Sequence, residues 1–243
     1  MEQQLSQPMQ NAKENETLPK GFISGSTLKI IAIVTMLIDH IGAALLETRL
    51  QSNPDSFLLS LADIIMRMIG RIAFPIFCFL LVEGFLHTKD VKKYALRLLL
   101  FCFISEIPFD LAFYGTCFYF GYQNVYFTLL LGLLALIGID HFKGNQLLQF
   151  SCVIFAMVAA LFLKTDYSYF GVFAIVILYL CRNQRPLQCI VGAISFFWEL
   201  TASLSFIPIL FYNGKRGLSL NYFFFVFYPA HLLILGLIRV FLL

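Results

Sequence analysis

Long apolar runs, separated by short polar stretches, make up nearly all of the chain after residue 20. Most runs are close to the roughly 20 residues that a helix needs to cross about 30 Å of hydrocarbon. The pattern predicts an all-α fold, a polytopic transmembrane helical bundle with about eight or nine spans. The candidate spans are Thr27–Leu46, Phe57–His87, Lys92–Tyr114, Asn124–His141, Asn145–Leu163, Tyr169–Cys181, Pro186–Leu200, Thr201–Tyr212 and Asn221–Leu243. Residues 186–212 could also form one tilted helix, which leaves the side of the C-terminus open.

The first 20 residues are rich in Gln, Asn and Glu and contain no apolar run. This composition predicts a disordered tail before a single transmembrane domain that covers residues 21–243. The first apolar run follows the polar tail and lacks a small-residue cleavage site. It is therefore predicted to be a retained helix and not a cleaved signal peptide.

The overall composition agrees with a membrane protein. Hydrophobic residues make up 60% of the chain, charged residues 13%, and the mean hydropathy is +0.83. A soluble domain has about a quarter charged residues. The net charge of +3 comes without a basic block, so no nucleic-acid partner is expected. The six cysteines are scattered without a CxxC pair, so no metal site or disulfide framework is expected.

The basic residues predict the orientation, because Lys and Arg gather in cytoplasmic loops. One cluster follows the second span and another follows the sixth, while residues 115–123 carry no charge. Placing both clusters in the cytoplasm puts the N-terminus there too. The two clusters are Lys89, Lys92, Lys93 and Arg97, and Arg182 and Arg185.

The second span carries a polar stripe. Ser60, Asp63, Arg67 and Arg71 recur at steps of three or four residues, which places them on one face of a helix. In a membrane such a face is expected to point into the bundle or toward water. Pro75 is expected to kink this long segment.

Ionisable residues lie inside the predicted spans, where each costs about 2.5–3.5 kcal/mol on insertion scales. They are expected to pair or to line a wet cavity. Simple helix-bridging ion pairs, Arg71 with Glu83 or Arg97 with Glu106, would also account for some of them. The full set is Asp39, His40, Arg67, Arg71, Glu83, Arg97, Glu106, Asp110, Glu199 and His231.

The first span holds the clearest pattern. Lys29 and His40 lie about three helical turns apart on one face, roughly 16 Å along the axis. Asp39 precedes His40 but points about 100° away around the helix, so a hydrogen bond between them does not follow. Histidine suits general-base chemistry because its ordinary pKa is about 6.5.

Other polar groups have both a structural and a functional interpretation. His87 follows Glu83 by one turn and could simply cap a helix. His231 follows a proline and could lie at the interface. Glu106 and Asp110 flank another proline, where they could shape a pocket or satisfy freed backbone. Asp166 and its neighbour Tyr167 are predicted to lie solvated in an outer loop.

At these residues the chain resembles the TraX family, named for a conjugative-plasmid protein that N-acetylates pilin. The family is distantly similar to the acyltransferase-3 membrane enzymes, which carry an Arg, ten residues and then a His in their first helix. Lys29 and His40 occupy those two positions. The segments that carry the likeness are Leu28–Gly42 (LKIIAIVTMLIDHIG), Gly70–Thr88 (GRIAFPIFCFLLVEGFLHT), Tyr94–Phe113 (YALRLLLFCFISEIPFDLAF), Asn124–Gly132 (NVYFTLLLG), Thr165–Gly171 (TDYSYFG), Tyr212–Gly217 (YNGKRG) and Phe227–His231 (FYPAH).

The resemblance implies a multi-pass acetyltransferase of the bacterial inner membrane that accepts acetyl groups from cytoplasmic acetyl-CoA. Its acceptor would be the pilin N-terminus or another surface amine or hydroxyl, of a glycan or lipid. His40, beside Asp39, would deprotonate the acceptor or briefly take the acyl group itself. Lys29 can offer a charge to CoA, but it lacks the bidentate fork of Arg.

The resemblance also implies the binding residues. Candidates for the anionic part of CoA are Lys29, Lys92, Lys93, Arg97 and Arg182. Arg71 and Glu83 are candidates for the wall of the reaction cavity. Glu106, Asp110 and His231 are candidates for further substrate contacts.

Two other functions stay open at this level. A proton- or ion-coupled transporter could use Asp39, Glu83, Glu106 and Asp110 as a relay, although no internal repeat is evident. A structural assembly factor for a surface appendage would need no chemistry at all.

Overall fold

The computed structural model describes residues 21–218 and 221–242. Over these residues the chain is helical and contains no β-strand. The predicted tail, residues 1–20, lies outside the described residues. The helices are α1 Gly25–Ile41, α2 Glu47–Ser52, α3 Phe57–Gly70, α4 Ala73–His87, α5 Val91–Tyr114, α6 Val125–His141, α7 Gln146–Phe162, α8 Ser168–Leu180, α9 Arg185–Ser195, α10 Phe206–Leu210 and α11 Asn221–Leu242.

Several of these helices are long and apolar enough to cross a membrane. Within the described part of the chain, three stretches meet this condition by length and hydropathy: Gly25–Ser52, Phe57–His87 and Phe223–Phe241. Shorter apolar helices accompany them, among them α6, α7 and α8. The chain is therefore a helical membrane protein.

The first span is longer than its hydrophobic run predicts. Its helix continues beyond Ile41 through a π-helical turn, Gly42–Leu46, into α2. Such π-turns often occur at functional sites, because they shift the side chains on either side. This turn begins two residues after His40.

The second predicted span, Phe57–His87, is one apolar stretch by length and hydropathy, but it is interrupted between two helices. α3 ends at Gly70 and α4 begins at Ala73, so the chain breaks before Pro75. Proline has no N–H with which to bond the carbonyl four residues earlier, which here belongs to Arg71. The break therefore falls at the residue whose hydrogen bond the proline removes.

Residues 185–212 form a hairpin and not two spans. α9 has 11 residues and α10 only 5, and a 3₁₀ turn, Leu200–Ser205, comes between them. The guanidinium of Arg185, where α9 begins, lies 5.2 Å from the ring centre of Tyr212, just after α10. Both ends of the hairpin therefore lie at one end of the bundle. The predicted helix over 201–212 corresponds to a short apolar helix, Thr201–Leu210, whose first half is 3₁₀.

The start of α1 lies at that same end. The N–H groups of Gly25 and Ser26 donate to the carbonyls of Lys215 and Arg216 at 2.8 and 2.9 Å. The loop after α10 thus supplies acceptors for donors that a helix N-terminus leaves unpaired.

Small residues bring the helices close together. Leu111 and Ala112 on α5 lie against Gly236 on α11, and Ile175 on α8 lies against Gly132 on α6. Without a hydrophobic effect between helices in lipid, such close packing is a main source of their association. α1 packs against α3 and α4, and α11 packs along α5. These five helices surround the site described next.

Candidate functional site

A cavity of about 400 Å³ lies among α1, α3, α4, α5 and α11. One part of its wall is charged and the rest is largely aromatic. The charged and histidine side chains are Asp39, His40, Glu47, Arg67, Arg71 and Asp166. The aromatic side chains are Phe74, Phe77, Phe109, Phe113, Tyr114, Tyr122, Tyr167 and Tyr228.

His40 stands at the cavity wall and is held by a second histidine. Its Nδ1 lies 2.7 Å from Nε2 of His231 on α11, and the two rings are nearly parallel, at 8°. Phe113 and Tyr228 meet the His40 ring edge-on, with centroids at 5.3 and 5.9 Å. His231, Phe113 and Tyr228 therefore hold the imidazole in place, and the rest of the ring faces the cavity.

His231 itself does not line the cavity. It is 6% exposed, and its Nδ1 lies 2.7 Å from the carbonyl oxygen of Phe227, one turn earlier on α11. Both ring nitrogens thus have protein partners. His231 therefore has no free ring nitrogen among the described residues, and its predicted role as a substrate contact stays a prediction.

Pro229 shapes α11 next to this pair. It lacks the N–H that would bond the carbonyl of Phe225. The hydroxyl of Tyr126 on α6 donates to that carbonyl instead, at 3.1 Å. The proline therefore ties α11 to α6 just before His231.

The Asp39 carboxylate pairs with the Arg67 guanidinium and not with His40. Its Oδ2 lies 2.7 Å from the Arg67 guanidinium, which also reaches Glu47 at 3.5 Å. A side chain on Gly70 would collide with Asp39, so this close approach of α3 to α1 needs a glycine. The second oxygen, Oδ1, is buried without a hydrogen-bond partner among the described residues.

Arg71 also lines the cavity, but not with the predicted partner. It forms an ion pair with Glu199 at 3.1 Å, at the tip of the α9–α10 hairpin. Glu83 pairs instead with Arg185 at 3.3 Å and lies outside the cavity. The predicted Arg71–Glu83 pair is wrong, because the two residues lie roughly 18 Å apart along the helical path.

Glu106 and Asp110 do not line the cavity either. Glu106 accepts a hydrogen bond from the amide of Asn124, and Asp110 accepts one from the backbone N–H of Tyr119 at 2.7 Å. These bonds fix the return of the chain from α5 to α6. The predicted role of Glu106 and Asp110 as substrate contacts stays a prediction. Arg97 and Glu106 are separated by about 13 Å of helix, which does not favour the suggested pair.

The predicted CoA-binding cations gather at the bundle end that holds Tyr212. Lys29 lies 5.0 Å from the ring centre of Phe224, and Arg97 lies 5.6 Å from that of Phe225. Both rings belong to the start of α11. The other predicted cations lie at helix ends: Lys92 and Lys93 begin α5, where Lys93 pairs with Asp90 at 3.3 Å, and Arg182 stacks on Tyr179 at 4.0 Å.

Two residues of the cavity wall were not predicted from the sequence to be part of the site. Asp166 and Tyr167, predicted to be solvated, lie in the connection between α7 and α8 and face the cavity. Tyr167 stacks on Phe74 with ring centroids 3.6 Å apart. Burial raises the pKa of Asp166 to about 7, and the nearby Asp39 carboxylate adds to the increase. Only the matched segment TDYSYFG could have drawn attention to them.

Among the described residues, no three His, Cys, Asp or Glu side chains group as a metal site would need. The His40 imidazole and the charged side chains of the cavity wall are suited to general-base and electrostatic chemistry.

The family model described as TraX protein matches residues 24–239. The chain belongs to the TraX family. The match covers all of the cavity residues, and it confirms the resemblance found from the sequence. A curated relative, the "Probable fimbrial assembly protein FimC, serogroup H1" of Dichelobacter nodosus, is 30% identical over 254 residues, covering 90% of this chain and 97% of the relative. No solved structure matches this TraX-family chain.

Proposed function

We propose that this TraX-family chain is a membrane acetyltransferase. It would move an acetyl group from acetyl-CoA to an amine or hydroxyl acceptor, with His40 as the general base. One observation carries the proposal. A histidine, fixed by a hydrogen bond at 2.7 Å, stands at the wall of a charged cavity among membrane helices.

The reaction needs one proton acceptor. The acceptor nitrogen or oxygen attacks the thioester carbonyl carbon and gives its proton to His40. The carbon–sulfur bond then breaks, the electron pair leaves with sulfur, and the proton passes from His40 to the CoA thiolate. The products are the acetylated acceptor and free CoA. A base held in place contributes about 10²–10⁴-fold to such a step.

The cation cluster supports entry of the donor from the cytoplasm. Lys29 and Arg97 share one end of the bundle with Arg185, and positive charge marks the cytoplasmic side. His40 lies roughly 16 Å further along α1. The anionic part of CoA would bind at this end, while its flexible pantetheine arm extends toward His40. We therefore propose a bacterial inner membrane location with the N-terminus inside, which the position of these cations supports.

The α9–α10 hairpin suggests a crossing count. Since it enters and leaves at the cytoplasmic end, it would be re-entrant. The crossings would then be α1–α2, α3–α4, α5, α6, α7, α8 and α11. Irregular backbone at membrane depth is tolerated where it lines a cavity, and the tip of this hairpin holds Glu199 against the cavity residue Arg71.

The cavity charges favour an amine acceptor. Its wall carries the carboxyl groups of Asp39, Glu47 and Asp166 against the cations of Arg67 and Arg71. Carboxylates and aromatic rings together suit a cationic group. An ammonium group bound there must first lose one proton to solvent, and the neutral amine then attacks. A pilin amino terminus fits this description, and a glycan or lipid hydroxyl is the second possibility.

The test uses purified protein in detergent with acetyl-CoA and a pilin peptide that has a free amino terminus. Release of CoA thiol measures the rate. His40→Ala should lower kcat by roughly 100- to 10,000-fold without loss of the fold. His141→Ala is the matched control and should keep the wild-type rate, because His141 is an exposed residue at the end of α6, outside the cavity. A wild-type rate in His40→Ala would reject His40 as the base.

A second candidate follows from the name of the relative, which is a fimbrial assembly protein. An assembly factor without chemistry would support surface fimbriae equally well after His40→Ala. Counting fimbriae on cells that carry this variant separates the two candidates. If the protein is an acetyltransferase, His40→Ala should change the number of fimbriae only where their assembly needs acetylation. The mass of the fimbrial subunit is therefore measured as well, because it shows directly whether the acetyl group is present.

A further inference from the structure

We infer that His231 is a positioning residue that fixes the tautomer of His40, so that Nε2 of His40 is the basic nitrogen. This inference rests on the proposed function for its catalytic meaning, but the tautomer itself can be measured independently. In place of the predicted substrate contact, we assign His231 a role that acts through the side chain of His40.

The first step concerns the proton on His231. Its Nδ1 lies 2.7 Å from the carbonyl oxygen of Phe227. A carbonyl oxygen can only accept, so Nδ1 of His231 must carry the hydrogen and donate it. In a neutral imidazole the other nitrogen, Nε2, is then an acceptor.

The second step follows at His40. Its Nδ1 lies 2.7 Å from that acceptor nitrogen, so Nδ1 of His40 must be the donor. Nε2 of His40 is left with a free lone pair. The Phe227 carbonyl, fixed by the helix, therefore determines the protonation of a ring that belongs to another helix.

The third step is the position of the two rings. His40 lines the cavity, whereas His231 is buried behind it at 6% exposure. A molecule in the cavity can reach His40 but not His231. When Nε2 of His40 takes a proton, His231 can still accept from Nδ1 and so stabilise the imidazolium. The same logic orients histidines bound to metals, where an outer partner sets the tautomer and the basicity.

The charged groups around His40 do not offer another partner for Nδ1. Asp39 on α1 bonds to Arg67 on α3, which also reaches Glu47 on α2. From α11 the ring meets Tyr228 and His231, and from α5 it meets the apolar Phe113. Among the described residues, the hydrogen bond of the His40 ring is the one to His231.

The test compares two substitutions of His231. His231→Phe keeps a planar ring but removes the acceptor, so kcat should fall about 10- to 100-fold while the KM for acetyl-CoA changes little. His231→Gln places an amide oxygen near the former Nε2, so it should restore the rate to within about threefold of wild type. A residue needed only for packing would favour Phe over Gln.

The second measurement is the ¹⁵N spectrum of histidine-labelled protein, with the His40 signals assigned by loss in His40→Ala. Wild type and His231→Gln should show hydrogen on Nδ1 and a bare Nε2, and His231→Phe should lose this preference. A wild-type His40 with hydrogen on Nε2 would overturn the inference, whether or not His231→Phe folds. So would wild-type kcat in His231→Phe. Absence of acetyl transfer in every protein, with the Nδ1–H tautomer intact, would reject the proposed function and leave the positioning role standing.

Discussion

At the scale of single residues, Arg67 links two carboxyl groups that α1 and α2 bring to the cavity. Its pair with Asp39 is mostly buried, with side-chain exposures of 27% and 15%. Asp39 already has one buried oxygen without a partner among the described residues. Removing the cation would leave the mostly buried Asp39 carboxylate without its partner, which is costly.

We expect Arg67→Met to lower the free energy of unfolding by about 2–3 kcal/mol, at or below the lower end of the range for a broken buried pair, because this pair is partly exposed. Thermal unfolding in detergent measures the change. Lys143→Met is the matched control, because its pair with Asp140 is exposed, at 71% and 46%. An exposed pair contributes about 0–1 kcal/mol. Equal melting temperatures for the two variants would contradict this account of Arg67.

The sequence predicted some of these residues and not their partners. The spacing of Lys29 and His40 drew attention to His40, and the 100° step correctly separated Asp39 from it. The pairing of His40 with His231 joins positions 191 residues apart. Helical periodicity describes neighbours within one element, so it cannot show such a contact. For the same reason Glu83 was assigned to the cavity and Asp166 was not.

At the scale of elements, α6 depends on an unusually well-connected N-cap. Asn124 is fully buried and accepts from the N–H of Tyr126 at 3.0 Å. Its amide nitrogen also donates to the Cys102 carbonyl at 2.8 Å and to Glu106. One side chain therefore caps α6 and attaches it to the middle of α5.

We expect Asn124→Ala to destabilise the protein by about 2–4 kcal/mol, since it removes a cap and leaves buried partners unsatisfied. Asn145→Ala provides the comparison. Asn145 caps α7 through one bond to the N–H of Leu148 at 3.2 Å and is exposed, so its loss should cost about 1 kcal/mol. Thermal unfolding of both variants measures the two losses of stability. A larger loss in Asn145→Ala than in Asn124→Ala would contradict this account of the N-cap.

The hydrophobic pattern located most helices closely. The predicted span Lys92–Tyr114 corresponds to α5, Val91–Tyr114, and α6 and α7 agree to within about two residues. Errors fall where contacts between elements override the local pattern. The α9–α10 hairpin is one example, because its tip is held by the ion pair between Glu199 and Arg71. Hydropathy gives no sign of that partner.

At the scale of the whole molecule, the hairpin determines on which side α11 ends. α11 begins near Lys29, at the end that we assign to the cytoplasm. Near the other end of α11, the Arg239 guanidinium donates to the Ala112 carbonyl late in α5, at 2.9 Å. The end of α11 should therefore lie on the opposite side of the membrane from the start of α1.

Fusions to the C-terminus test this topology. Alkaline phosphatase, which is active only outside the cytoplasm, should be active when fused there, and green fluorescent protein should remain dark. The same reporters joined before residue 21 should give the reverse result. A fluorescent C-terminal fusion with inactive phosphatase would mean an even number of crossings and would contradict the re-entrant hairpin.

We propose above all that His40 is the general base for acetyl transfer in this cavity. The most direct measurement incubates the protein, in detergent, with acetyl-CoA that carries a deuterated acetyl group and with the pilin peptide. Mass spectrometry then reports the peptide. We expect the labelled acetyl group on the peptide amine with wild-type protein and with His141→Ala, and almost none with folded His40→Ala. Labelling by His40→Ala at the wild-type rate would contradict the claim.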